Sequence, residues 1–137
     1  MGKNNINNRK LLAELSQACD GLMWMSESDY PWQIVDWQNE NKIDRQTLRQ
    51  HYQYHPQTRV LTTTVDSLFQ NAIVEQPWHD ETERAEVERY QNLFNWLKNN
   101  LQDLQVFLIG EVEIDVYVLG RTNQNKILGL STKMIQT

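Results

Sequence analysis

The sequence predicts an α/β fold, with helices laid on both sides of a strand layer in a sandwich of layers, as one domain over residues 1–137. Three observations lead there. Apolar residues recur at spacings of three and four through much of the first hundred positions, most clearly from Val87 to Leu101. From Val106 onward the period becomes two, with Ile114, Val116 and Val118 alternating with Glu113, Asp115 and Tyr117. A length of 137 residues with five Trp, five Tyr and three Phe supplies one core of bulky side chains without staples.

Taken in order, Leu11, Leu12, Leu15, Ala18, Cys19 and Leu22 predict a helix over 9–22, capped by Asn7 or Asn8 and stopped at Asp20-Gly21. Met23-Trp24-Met25 prolongs the apolar run into a polar loop at 26–29. A strand is expected from Trp32 to Trp37, then a polar turn at 38–42. Asp44 is placed as the cap of a short helix carrying Leu48, His51 and Tyr52 and ended by Pro56, since the residue before a proline avoids the helical region. Asp66 is placed as the cap of another, with Leu68 and Phe69.

Asp80 with Glu83 three residues later has the form of a capping box, opening the long helix of Val87, Tyr90, Leu93, Phe94, Trp96, Leu97 and Leu101. Gly110 marks a bulge or bend. The polar Thr122-Asn123-Gln124-Asn125 turn joins two antiparallel strands, the second running through Leu128, Leu130 and Thr132 almost to Thr137. Terminal residues are usually poorly held, so a strand this close to the last residue raises the question of what the chain end does.

Composition narrows the function. A formal charge of -5 disfavours direct nucleic-acid binding through phosphate neutralisation. The single cysteine, Cys19, excludes an internal disulfide and reads as a small buried hydrophobe in a reducing compartment. No secretory signal or run of about 18 apolar residues occurs, and Ile6 spoils the myristoylation pattern that Gly2 would open, so a cytoplasmic protein without membrane attachment is expected.

Sites of chemistry are sparse. Glu111, Glu113 and Asp115, two residues apart, are expected on one face of a strand, where a divalent metal would want oxygen ligands; a solvated strand face needs the same pattern and is the preferred reading. His51 and His55 have the i, i+4 spacing that can bind zinc, without the glutamate that would make the motif catalytic. No phosphate loop or nucleophile elbow is present. Glu27, in the acidic and hydroxylic loop "MSESDYP", and Trp78, in the loop "EQPWHDE", stand out as surface candidates, Trp being enriched at interfaces.

Three stretches resemble the nuclease A inhibitor family: "DGLMWMSESDYPW" (20–32), "IGEVEIDVYVLG" (109–120) and the closing "GLSTKMIQT" (129–137). The resemblance covers nearly the whole chain. His79 follows Trp78 where the family pattern leads one to expect Tyr.

The resemblance implies a small cytoplasmic protein, not an enzyme and without cofactor, that inhibits a magnesium-dependent, sugar-non-specific DNA/RNA endonuclease as a monomer in a 1:1 complex. It implies a three-layer α-β-α sandwich with a mostly antiparallel sheet, likened to plant pathogenesis-related proteins. It also carries interface roles to Glu27, Trp78 and Thr137, with the threonine near the partner's metal and no metal of the protein's own.

Overall fold

Helix caps and glycine turns set most of the element boundaries. The computed structural model describes residues 2–37, 40 and 42–137, with side chains from Asn8 onward in those ranges. Within the expected polar turn, Gln38, Asn39 and Asn41 lie outside the described residues. The first helix, α1, spans Gly2–Cys19. It therefore begins ahead of Asn7 and Asn8, and neither caps it. The penalty for Asn inside a helix is a few tenths of a kcal/mol, small once Leu15 is docked in the core. Gly21, at φ +75°, turns the chain, and the Leu22 N-H donates to the Cys19 carbonyl at 3.0 Å.

Met23–Met25 (β1) and Asp29–Pro31 (β2) form a small antiparallel hairpin where the sequence showed only an apolar run. Gln33–Trp37 follows as β3. Helix α2, Arg45–Tyr52, opens with the Asp44 carboxylate accepting from the Thr47 N-H at 2.7 Å, as expected. Its end is not set by Pro56. Gln53 adopts the left-handed conformation at φ 58°, and the Arg49 guanidinium donates to the carbonyls of His55, Pro56 and Thr58, wrapping the loop around itself. Strand β4 is Val60–Thr63, and helix α3 is Val65–Phe69. Thr64, not Asp66, caps α3 through its hydroxyl to the Ser67 N-H; Asp66 lies in the first turn and pairs with Lys98 at 2.8 Å.

Helix α4 spans Glu81–Asn100 and carries both halves of the capping box: Glu83 N-H to the Asp80 carboxylate at 2.8 Å, and Asp80 N-H to the Glu83 carboxylate at 3.0 Å. Strands β5 (Gln102–Ile109), β6 (Glu113–Arg121) and β7 (Ile127–Ile135) complete a five-stranded sheet ordered β3-β7-β6-β5-β4, every pairing antiparallel. Gly110, at φ +113°, turns β5 into β6; a Cβ there would sit 2.3 Å from the Glu113 carbonyl oxygen.

The period of two divides the sheet between two clusters. Val106, Val116, Val118, Leu128 and Leu130 pack with Leu15 of α1, Phe69 of α3 and Tyr90, Leu93 and Leu97 of α4. Phe107, Ile109, Leu119 and Ile127 pack on the other face with Trp37, Ile43 and Leu48, the last from α2. In the first cluster Trp24 meets Trp32, Phe69 and Tyr90 edge-on, with ring centroids 5.5 to 5.8 Å apart. The Tyr90 hydroxyl accepts from the Trp32 indole N-H at 3.1 Å and donates to the Met23 carbonyl.

On the second face Tyr54 donates to the Asp115 carboxylate and lies 2.7 Å from the Tyr117 hydroxyl, while Tyr52 stacks on Tyr117. Burial raises the pKa of Tyr90 and of Tyr117 to about 12, and burial together with the hydrogen bond to Asp115 pushes Tyr54 upward as well.

These phenols fix the alkaline behaviour. Above pH 10 an unfolded tyrosine loses its proton while the folded one keeps it, so the folded state binds more protons and stability falls as pH rises. Denaturant titrations are expected to show these contributions intact below pH 10 and lost between pH 10 and 12; Tyr90→Phe and Tyr117→Phe should each flatten that decline.

Candidate partner-binding site

The tip of the β1-β2 hairpin is built by serine. Met25 pairs with Asp29, leaving Ser26, Glu27 and Ser28 as the loop. The Ser26 hydroxyl donates to the Ser28 carbonyl at 2.9 Å and accepts the Ile135 N-H at 3.0 Å, which ties the tip to the end of β7. One residue on, the Gln136 N-H donates to the Val112 carbonyl at 2.9 Å. The Thr137 hydroxyl then lies 2.7 and 2.8 Å from the two oxygens of the Glu27 carboxylate. Residues 135–137 are thus held one after another, and Glu27 and Thr137, far apart in sequence, are in contact on the exposed surface.

Trp78 stands on a turn that presents it. The His79 N-H donates to the Gln76 carbonyl at 3.1 Å, the His79 Nδ1 accepts the Gln76 N-H at 3.1 Å, and the His79 carbonyl accepts from Arg84 at 2.8 Å. With its neighbour fixed on three sides, the Trp78 side chain is left 73% exposed, with the His79 ring edge-on to it at 6.0 Å between centroids. The link to the hairpin runs through a cavity of about 350 Å³ that His79 and Met25 both line; Met25 is itself 63% exposed.

The carboxylate row expected on one strand face is not assembled. Glu111 lies in the bend before β6, so only Glu113 and Asp115 are on the strand. Glu113 is paired with Lys133 at 2.9 Å and Asp115 accepts from Tyr54. The histidine pair does not form either. His51 lies in α2 against the Trp37 ring, whereas His55 follows the left-handed turn at Gln53 and accepts the Gln57 N-H. Among the described residues no group of three or more His, Cys, Asp or Glu could hold a metal ion. Cys19 is buried, and burial raises its thiol pKa. No helix among the described residues is long and apolar enough to cross a membrane.

Sequence reasoning missed Ser26 and His79 as the residues that hold this surface together. The serine's signal was its place beside Glu27 in a loop between two short apolar runs. His79 registered only as a departure from pattern.

The molecule so described is a helix and antiparallel-sheet protein that holds residues 135–137 against a hairpin tip and leaves Trp78 exposed. The family profile described as nuclease A inhibitor-like protein matches residues 9–137, and the chain belongs to that family, one of nuclease inhibitors. Comparison with curated proteins gives no match.

Removal of the serine hydroxyl tests how the chain end is held. Ser26→Ala should raise amide hydrogen exchange at Ile135 on the order of fivefold, the equivalent of about 1 kcal/mol, while amides in the centre of β6 keep their rates.

Proposed function

We propose that this protein is a stoichiometric, cytoplasmic inhibitor of a magnesium-dependent, sugar-non-specific endonuclease, acting as a monomer in a 1:1 complex. It has no catalysis of its own and binds neither nucleic acid nor membrane. In this reading the chain is a single domain of the α-β-α sandwich type, likened to pathogenesis-related proteins, and the helices against both sheet faces support that view. The observation that carries the function is the Thr137 hydroxyl held on Glu27, within a family of nuclease inhibitors.

In this reading the contact groups of Thr137 are its hydroxyl and an α-carboxylate, which is ionised at neutral pH. Mg²⁺ takes oxygen ligands and keeps several waters, so this group approaches the partner's metal directly or through its hydration shell, where a phosphate oxygen would sit. Glu27 has lone pairs beyond those facing Thr137 and meets a basic residue that otherwise holds the nucleic-acid backbone. Trp78 fills a pocket as an apolar anchor. The charge of -5 steers the protein to a basic nuclease. A metal-dependent enzyme on Glu111, Glu113 and Asp115 is the weaker reading, because Lys133 and Tyr54 already occupy two of the three carboxylates.

The test is a titration into a purified sugar-non-specific nuclease with Mg²⁺, following DNA cleavage. Activity is expected to reach zero near one equivalent, and a variant ending at Gln136 to fail while keeping its fold. Trp78→Ala should weaken binding by about 2 kcal/mol or more. Unchanged inhibition by both variants would remove the proposed contacts; no inhibition by the intact protein would remove the nuclease as partner.

A further inference from the structure

We propose that the cavity between β1 and α4 seats a Lys or Arg side chain of the bound nuclease, with Glu86 as its counter-charge; this rests on the inhibitor reading above. The cavity, about 350 Å³, has Met23, Met25, Leu68, Trp24 and Tyr90 among its walls and two carboxylates, Glu83 and Glu86. Glu83 is committed to the capping box. Glu86 is half-buried and makes no hydrogen bond or ion pair among the described residues. The nearby cations are directed elsewhere: Arg89 donates to the Ala18 carbonyl at 3.1 Å, and Arg84 donates to the His79 carbonyl and lies 3.9 Å from the Glu75 carboxylate.

A carboxylate partly removed from water and without an ion-pair partner gains from an incoming positive charge. The walls select the shape of that charge. Thioether and leucine side chains suit the aliphatic stem of Lys or Arg, and methionine adapts to either. Trp24, which is only partly buried, offers aromatic surface to the cationic head. An acidic or phosphorylated group would meet two carboxylates instead. The floor is already rigid, since Tyr90 is tied to Trp32 and to the Met23 carbonyl. The position also suits a contact made together with Trp78, because His79, the next residue, and the exposed Met25 line the same cavity. A nuclease that grips phosphates presents such basic side chains around its active site.

The test is dissociation of the intact protein from the nuclease in Mg²⁺, measured for wild type, Glu86→Gln, Glu86→Lys and the control Glu88→Gln. Glu88 is exposed on the same helix, and its substitution changes net charge by the same amount as Glu86→Gln. Glu86→Gln is expected to dissociate about tenfold faster, Glu86→Lys faster still, and Glu88→Gln at the wild-type rate. Wild-type dissociation of Glu86→Gln and Glu86→Lys, with one-to-one inhibition retained, would overturn the cation seat and leave the inhibitor reading standing. Failure of the wild-type protein to inhibit would remove both.

Discussion

The arrangement depends on a mismatch of strand lengths around β7. On one side β7 pairs with β6 over all nine of its residues, from Ile127 opposite Arg121 to Ile135 opposite Glu113. On the other, β3 pairs only from Ile127 to Ser131. The last four residues of β7 would leave that edge open, and unpaired backbone groups need partners or water. The β1-β2 hairpin takes the vacated place. The Thr132 hydroxyl donates to the Pro31 carbonyl at 2.9 Å, and the Ile135 N-H finds Ser26. An edge left by one short strand is thereby converted into a fixed position for the residues beyond it.

A hairpin with two three-residue strands is not stable alone. It is held from behind by α4, through the Tyr90 hydroxyl on the Met23 carbonyl and through Trp24 among Trp32, Phe69 and Tyr90. The same helix organises the tryptophan turn at its N-terminus, since Asp80 caps it and Arg84 reaches back to the His79 carbonyl. Both parts of the candidate surface are therefore referred to one rigid element. Disturbing the packing of α4 should move them together, and changes confined to the α2 face should move neither.

What the sequence revealed follows the range of the interactions involved. The α4 capping box, the Asp44 cap and the alternation of β6 are set by residues a few positions apart, and each was legible. Hairpin β1-β2 was hidden because three residues per strand are too few to display a period. The end of α2 was misplaced because the deciding contacts are made by Arg49 to carbonyls up to nine residues away, which no local preference announces. Glu27, Trp78 and Thr137 were singled out as individual residues. The contact between Glu27 and Thr137 spans 110 positions and needed the register of β7 against β6 to place it. Glu86 was unremarkable in an acidic helix, since nothing local shows that its neighbouring arginines point away.

The bond between Thr137 and Glu27 is exposed, and a hydrogen bond open to water adds little to stability. Its value lies elsewhere. With Ile135 and Gln136 already fixed by Ser26 and Val112, the threonine has little left to lose in conformational freedom when a partner closes over it. Ordering costs at an interface come to about 0.5–1.5 kcal/mol for each immobilised flexible side chain, and under the proposed function a segment arranged in advance avoids part of that cost. Glu27 need not release the hydroxyl to meet a cation, because a carboxylate has about four lone-pair sites and one hydroxyl hydrogen cannot occupy them all. Under the proposed function, one side chain then holds Thr137 and faces a basic partner together.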